Sequence, residues 1–521
     1  MKKTVPLIAM AICCHLQSLN AQTNTATGQE ALFLNTTGTS NTATGYRSLR
    51  FNTSGIQNTA TGVEALRNNT DGYNNAAHGY ESLYSNTTGS WNSAVGVTAL
   101  LLNTTGQSNT ALGANTLRTN TTGNYNTAIG YDALRFATTA NYNTAIGASA
   151  LINNTTGYNN VGLGAFSLYY NTTGNFNTAF GYGSLNNNQT GSGNIVSGAG
   201  GLASNTSGSY NMVFGANALG SNVSGDNNIA IGVNAAYSTR SVNSTFIGPN
   251  TYGAVDISNS TAIGNSAAVL ASNQIRLGNV GVTSIGGQVE WTTLSDGRFK
   301  ANVAEDVPGL AFINKLRPVT YTLDIKALDV KMKGKNYRSE ITTGSDKFKV
   351  TTVLKESPEE KKAKEARAKV KYTGFVAQEV EEAAKKLDYD FSGVDAPENE
   401  EDVYGIRYSA FVVPLVKSVQ EQQTQIEELK SEVEQLKEMV KTLLASKGTS
   451  SNNSSLRVSS AYLLPNAPNP FNASTVIRFH IPDNAPTARL VITNMKGQVM
   501  KTTMLNGKGD GQVTLNAGTL A

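Results

Sequence analysis

A glycine recurs every 17 residues at Gly28, Gly45, Gly62, Gly79, Gly96, Gly113, Gly130, Gly147, Gly164, Gly181, Gly198, Gly215 and Gly232. Asn24, Asn41 and Asn58 begin a second column that runs to Asn228, and Leu32, Leu49, Leu66, Leu83 and Leu100 begin a third that runs to Leu219. The unit reads N-T-A-x-G-x-x-A-L-x-x-N-T-T-G-x-x. A fixed short period leaves a chain few choices, because each unit is too small to fold alone and must bury itself against the next; the outcome is a solenoid. Glycine permits turns with positive φ, Asn and Thr bond nearby backbone in turns, and stacked coils place Asn over Asn and Thr over Thr. The Ala, the variable apolar residue after it and the Leu are expected to point inward. After Gly232 the spacing falls to 16 at Gly248 and Gly264, and the solenoid is expected to continue, altered, to residue 290.

Three inward residues per coil make a thin core, so association of several chains is expected to thicken it. Composition agrees with a repetitive β protein: of 521 residues only 15% are charged and 7% aromatic, while 50 are Gly. A net charge of +4 gives no reason to expect a nucleic-acid partner. The Asn-Thr-Thr triplets match glycosylation acceptors, but turn chemistry explains them better. The scattered tyrosines and phenylalanines read as packing or surface fill, with a glycan-binding face as the alternative. The shaft has no paired carboxylates, histidine cluster or metal spacing, so no cofactor or metal is expected and no activity on outside substrates.

Lys2 and Lys3, the apolar run Val5 to Cys14 and the small residue Ala21 read as a secretory signal peptide over residues 1–21. Cys13 and Cys14, the two cysteines, fall in this leader, so the mature chain is expected to hold no disulfide. The product is expected outside the cell or on its outer surface.

Composition changes at Trp291. Leu294-Ser295-Asp296-Gly297-Arg298-Phe299-Lys300 is followed by Phe312-Ile313-Asn314-Lys315-Leu316-Arg317-Pro318-Val319 with Tyr321, then by Tyr372-Thr373-Gly374-Phe375-Val376-Ala377-Gln378-Glu379-Val380 and Val403-Tyr404-Gly405-Ile406-Arg407-Tyr408. A serine needs an adjacent base to act as a nucleophile. A lysine can be that base if desolvation favours its neutral amine, and five residues separate Ser295 from Lys300. From about residue 326 to 371 the chain is rich in Lys and Glu and reads as an inserted hairpin or a solvated helix.

Val412, Val419, Ile426, Val433 and Val440 recur every seven residues, with Leu415, Gln422, Leu429, Leu436 and Leu443 at the second apolar position. Glu432 and Lys437 sit where parallel helices can pair. Taken alone, β-branched first positions with Leu second favour a dimer. Residues 447–462 read as a linker. Leu464 to Thr475 contains Pro-Asn-Pro-Phe-Asn, and strands are expected at 476–482 and, around a Gly turn, at 491–499.

These motifs carry three resemblances. The N-T-A-x-G units resemble the head repeats of trimeric autotransporter adhesins, although the period of 17 is longer than usual there. The four motifs between residues 294 and 408, closed by the heptads, resemble the intramolecular chaperone autoprocessing domain (serine peptidase family 74) of phage tail spikes and endosialidases. That resemblance implies a homotrimer, a chaperone role for the fibre before it, and self-cleavage between Leu294 and Ser295. It assigns Ser295 as nucleophile and Lys300 as general base, with Asp296 and Arg298 orienting the site or the trimer contacts. Phe299 stands where that family often has Leu. The segment after residue 462 resembles the C-terminal sorting domain of type IX secretion substrates. It implies a partner in that secretion machinery, and it reads as truncated because the chain stops at Ala521.

The expected order is therefore a signal peptide (1–21), a β-solenoid shaft (22–290), an α+β chaperone and autoprotease domain (291–411), its parallel coiled coil (412–446), a linker (447–462) and a small truncated β-sandwich (463–521). The fold class is mainly β, and the ligand of the surface is left open.

Overall fold

The computed structural model describes residues 23–333, 340–343, 350–353, 356–447, 461–467, 469–470 and 472–519. The expected signal peptide and most of the expected linker lie outside the described residues. Two compact units are present, residues 1–421 and 422–521.

In the first unit, sixteen three-residue strands from Thr25–Thr27 to Ile275–Leu277 stack in one parallel sheet, one strand per coil. Register follows the repeat, so that Thr110, Ala111 and Leu112 face Thr127, Ala128 and Ile129. At a strand spacing of about 4.8 Å the stack is about 70 Å long. The chain is thus mainly β, a solenoid of 17-residue coils followed by a small helical region and small sheets.

Strand alternation decides which residues enter the core. The middle residue of each strand, such as Ala43, Ala60 or Ala128, is fully buried, while its neighbours point outward. The variable apolar residue after each Ala was expected inside and lies outside: Val95, Leu112, Leu163, Phe180, Phe214 and Ile231 form an exposed column. Its inward place is taken by the second Ala of the repeat, as at Ala65, Ala99 and Ala133, beside the buried Leu column.

Two asparagine ladders complete this thin core. Asn58 donates through Nδ2 to Gly72 O at 2.8 Å and to Asn41 Oδ1 at 3.2 Å, and its backbone N–H reaches the same oxygen at 3.0 Å. From the second ladder, Asn69 donates to Asn52 Oδ1 at 2.7 Å and also to Gly72 O at 3.0 Å. Two buried amides thus meet on one glycine carbonyl. The coil-to-coil threonine bonds expected from stacking are present as well, as from Thr53 Oγ1 to Thr70 O at 3.0 Å. The glycine column is held by close approach: Gly45 has φ +128°, and a Cβ there would stand 2.5 Å from Gly62 O. The leucine column is left-handed too, with Leu49, Leu66 and Leu117 near φ +49°. Burial of each side chain, about 1.5–3 kcal/mol, offsets a left-handed cost of about 1–2 kcal/mol.

The change of period after Gly232 adds two short parallel pairs to the last coils, Ser241–Val242 with Ile257–Ser258 and Tyr252–Gly253 with Ala268–Val269. Beyond the last rung, Ile285, Val289, Trp291, Leu294, Phe299 and Val303 are all exposed.

The helical region contains α1 (Leu310–Ile313), α2 (Ile325–Lys333), α3 (Pro358–Ala368), α4 (Ala377–Lys385) and α5 (Val412–Lys447). Val319–Tyr321 pairs antiparallel with Tyr372–Gly374, which joins two of the sequence motifs. Phe312, Val380, Ala383, Ala384, Phe391 and Phe411 form the core, with Leu316 and Phe375 packed against it. Glu421 accepts a 2.7 Å bond from the backbone N–H of Leu310 at the start of α1. The Lys/Glu-rich stretch holds both the hairpin and the largely exposed helix expected there. It comprises α2, the hairpin Glu340–Thr343 with Val350–Val353, and α3, in which Lys364 is buried. Helix α5 carries the heptads, and Val419, Ile426, Leu429, Val433, Leu436 and Leu443 are exposed along it. None of the helices among the described residues is long and apolar enough to cross a membrane.

In the second unit, Ser474–Ile481 lies between Tyr462–Leu463 and Gly509–Asn516 in an antiparallel sheet, and Ala488–Thr493 pairs with Val499–Leu505. Phe479, Ile481, Leu490 and Leu515 are buried. Gly497, at φ +79°, makes the turn expected there, and the Asn494 side chain accepts bonds from Lys496 N and Gln498 N, both at 3.0 Å.

Candidate functional site

Ser295 and Lys300 flank a short 3-10 turn, Gly297–Phe299. Asp296 caps that turn, with Oδ1 accepting from the backbone N–H of Arg298 at 2.9 Å. The Arg298 guanidinium closes back on the same carboxylate, with contacts of 2.6, 3.0 and 3.1 Å. The paired charges hold the Asp296 carboxyl below its ordinary value, through the Arg298 side chain first and its backbone N–H second, and the pair raises Arg298 in turn. The tightened turn brings Lys300 Nζ to 2.9 Å from Ser295 Oγ. This is hydrogen-bond reach for a nucleophile and its base.

All four residues singled out from the sequence are therefore within one turn, in two pairs. Ser295 with Lys300 is a hydrogen-bonded pair, and Asp296 with Arg298 braces the turn between them. Ser295 and Lys300 are both exposed in the single chain, and Trp291, Leu294 and Phe299 around them are 83%, 84% and 76% exposed. A serine–lysine pair draws its reactivity from desolvation of the amine, and an exposed pair lacks that desolvation.

The other motifs support the domain. Arg317, from the Leu-Arg-Pro-Val segment, forks onto the Glu379 carboxylate of the Gln-Glu-Val segment, with Nε to Oε2 at 3.1 Å. Tyr404 donates to Glu381 at 3.1 Å, and Tyr408 Oη accepts from Phe375 N at 3.2 Å. A Cβ at Gly374 would stand 2.1 Å from Tyr408 Oη, so the glycine of the Gly-Phe-Val segment makes room for that hydroxyl.

Sequence reading missed the contacts between this region and the end of the shaft. Arg367, on α3, donates to Val280 O at 2.8 Å and Val282 O at 2.7 Å. Asn399 donates to Leu270 O at 2.9 Å, and Gln274 donates to Asp402 at 2.9 Å. Met332, on α2, packs against Tyr252, Ala268 and Leu270. No motif marks these residues, and only the fold brings them together.

No group of His, Cys, Asp and Glu among the described residues could hold a metal ion. Comparison with known proteins found no matching family model, no matching curated protein and no matching solved structure.

Proposed function

We propose that this protein is a secreted, homotrimeric surface fibre whose chaperone domain directs its trimerisation and then cuts the chain once, between Leu294 and Ser295. The observation that carries this reading is the 2.9 Å contact between Lys300 Nζ and Ser295 Oγ, held by the Asp296–Arg298 brace. Ser295 Oγ attacks the carbonyl carbon of Leu294 while Lys300, as the neutral amine, takes the hydroxyl proton. Lys300 returns that proton to the departing Ser295 nitrogen, leaving an ester between the Leu294 carbonyl and Ser295 Oγ. Water hydrolyses the ester, giving a Leu294 carboxylate and a free Ser295 amine. The activity serves maturation and takes no outside substrate.

Trimerisation is supported by two exposed apolar surfaces among the described residues, the heptad seam of α5 and the outward column from Val95 to Ile231. Single chains seldom leave contiguous apolar surface on this scale uncovered. Neighbouring chains packed around the exposed Trp291–Phe299 segment would supply the desolvation that Lys300 lacks alone. Cutting would then follow assembly. The signal peptide and the type IX-like sorting segment support delivery to the cell surface.

N-terminal sequencing of the smaller product tests the reading: a chain beginning at Ser295 is expected from the wild type and absent from Lys300→Met. A second reading, a retained trimerisation cap that does not cut, is favoured by the exposure of Ser295 and Lys300; it predicts one uncut chain in a trimer.

A further inference from the structure

A cut at Leu294–Ser295 severs the shaft from everything after it, so what joins the two sides without a covalent bond decides where the fragments go. The helical region touches the last coils of the shaft at three places. α3 lies on the turn after the last rung: Arg367 bonds the carbonyls of Val280 and Val282, and a Cβ at Gly281 would stand 3.6 Å from Ala363 Cβ. Asn399 and Asp402 bond Leu270 O and Gln274. Met332 packs on the apolar patch of Tyr252, Ala268 and Leu270.

The grip is built rather than incidental. Lys364 is buried at 9% exposure and ties α2 to α3 through Asp329 at 2.9 Å, with Glu356 at 2.6 Å on its other side. Asp402 is 6% exposed. Burial, then the nearby Glu401 carboxylate, pushes the Tyr252 phenol up to about 12. Buried charge is tolerated only where it is paired, and here the pairing fixes the helices that touch the shaft. The severed bond, by contrast, lies in the exposed stretch between the two partners.

We propose that α2, α3 and the Asn399–Asp402 loop form a clamp that keeps the C-terminal fragment docked on the shaft after the chain is cut. The inference rests on the cleavage reading for its occasion, but not for its test. It gives the segment rich in Lys and Glu a function, and it keeps the shaft joined to the C-terminal sorting segment.

The test replaces the exposed stretch from Gly287 to Trp291 with a site-specific protease sequence in the full chain, in a Ser295→Ala background, so that only added protease cuts. The folded protein is cut and passed through a sizing column at physiological salt. Both fragments are expected to elute together. With Met332→Asp and Arg367→Ala combined, the fragments' dissociation constant, read from the co-eluting fraction over a dilution series, is expected to rise about tenfold, equivalent to a loss of about 1.4 kcal/mol. The milder pair Gln274→Ala and Asn399→Ala guards against misfolding and should weaken retention by a smaller factor in the same direction. Separation of the parent's fragments on cutting overturns the clamp. Undiminished co-elution in both variants overturns it as well. Self-cleavage plays no part in this experiment, so its absence in the wild type sinks the maturation reading alone.

Discussion

Lys300 Nζ stands 2.9 Å from Ser295 Oγ, and neither side chain is buried. The turn between them, braced by Asp296 and Arg298, fixes the distance but does not dry the site. Positioning and activation are therefore separate, and the two respond differently to mutation.

Removing the base removes the chemistry. Lys300→Met is expected to slow cutting by about 100-fold or more, the usual scale of a lost general base. Arg298→Ala leaves the pair in place but loosens its turn, so it is expected to slow cutting by about tenfold, a positioning effect. Time courses on denaturing gels, with native mass measured alongside, distinguish both effects from failed assembly.

Breaking the heptad seam tests activation. Leu429→Lys with Val433→Lys is expected to lower the native mass of the oligomer. It is also expected to suppress cutting, although both positions are far along the chain from Ser295. Light scattering and denaturing gels on the same sample check this. Full cutting in a monomer would contradict activation by assembly.

Within the shaft, Asn126 donates to Asn109 Oδ1 at 3.0 Å and to Ala140 O at 2.8 Å, and accepts from Asn143 N and Nδ2, both at 3.1 Å. Asn126→Ala leaves buried partners without bonds and is expected to destabilise the coil stack by about 1–3 kcal/mol. Gly130→Ala is expected to do more harm. Its φ is +128°, and the new Cβ would meet Gly147 O at 2.6 Å. Thermal melts of a shaft-containing chain should rank wild type above Asn126→Ala above Gly130→Ala.

The clamp has a pH signature. Burial pushes the Asp329 carboxyl up, but bonds and charge from Lys333 and Lys364 outweigh it and hold it below its ordinary 3.8. A depressed folded value means that the stabilisation is complete above the unfolded value and is lost as pH falls through the folded one. Acidification below the ordinary value of 3.8 is thus expected to loosen the α2–α3 pair, and with it the docking of fragments cut by added protease, which stay together at about pH 5. Asp329→Asn, which cannot ionise, should weaken co-elution already at about pH 5 and flatten its further loss on acidification, measured by sizing across a pH series.

The columns of Gly, Asn and Leu were legible because a solenoid repeats each residue's environment, so one position read correctly is read in every coil. The same uniformity spread one error along the shaft. The variable apolar residue after Ala looks like core by type, but strand alternation turns Leu112 and its equivalents outward. The left-handed leucines were not legible, since only the geometry of the turn imposes φ near +49° on Leu66. Ser295 and Lys300 were legible as a local pair because five residues and a capped turn suffice to join them. The clamp was not, since Met332, Arg367 and Asn399 are ordinary residues until the chain returns to the shaft.

The most direct measurement is the denatured intact mass of the mature protein beside Ser295→Ala. Two products are expected from the wild type, divided between Leu294 and Ser295, and one full-length chain from the mutant at the same native oligomeric mass. A wild type that stays whole in a folded trimer contradicts self-cleavage, and so does a mutant that is cut at the same bond.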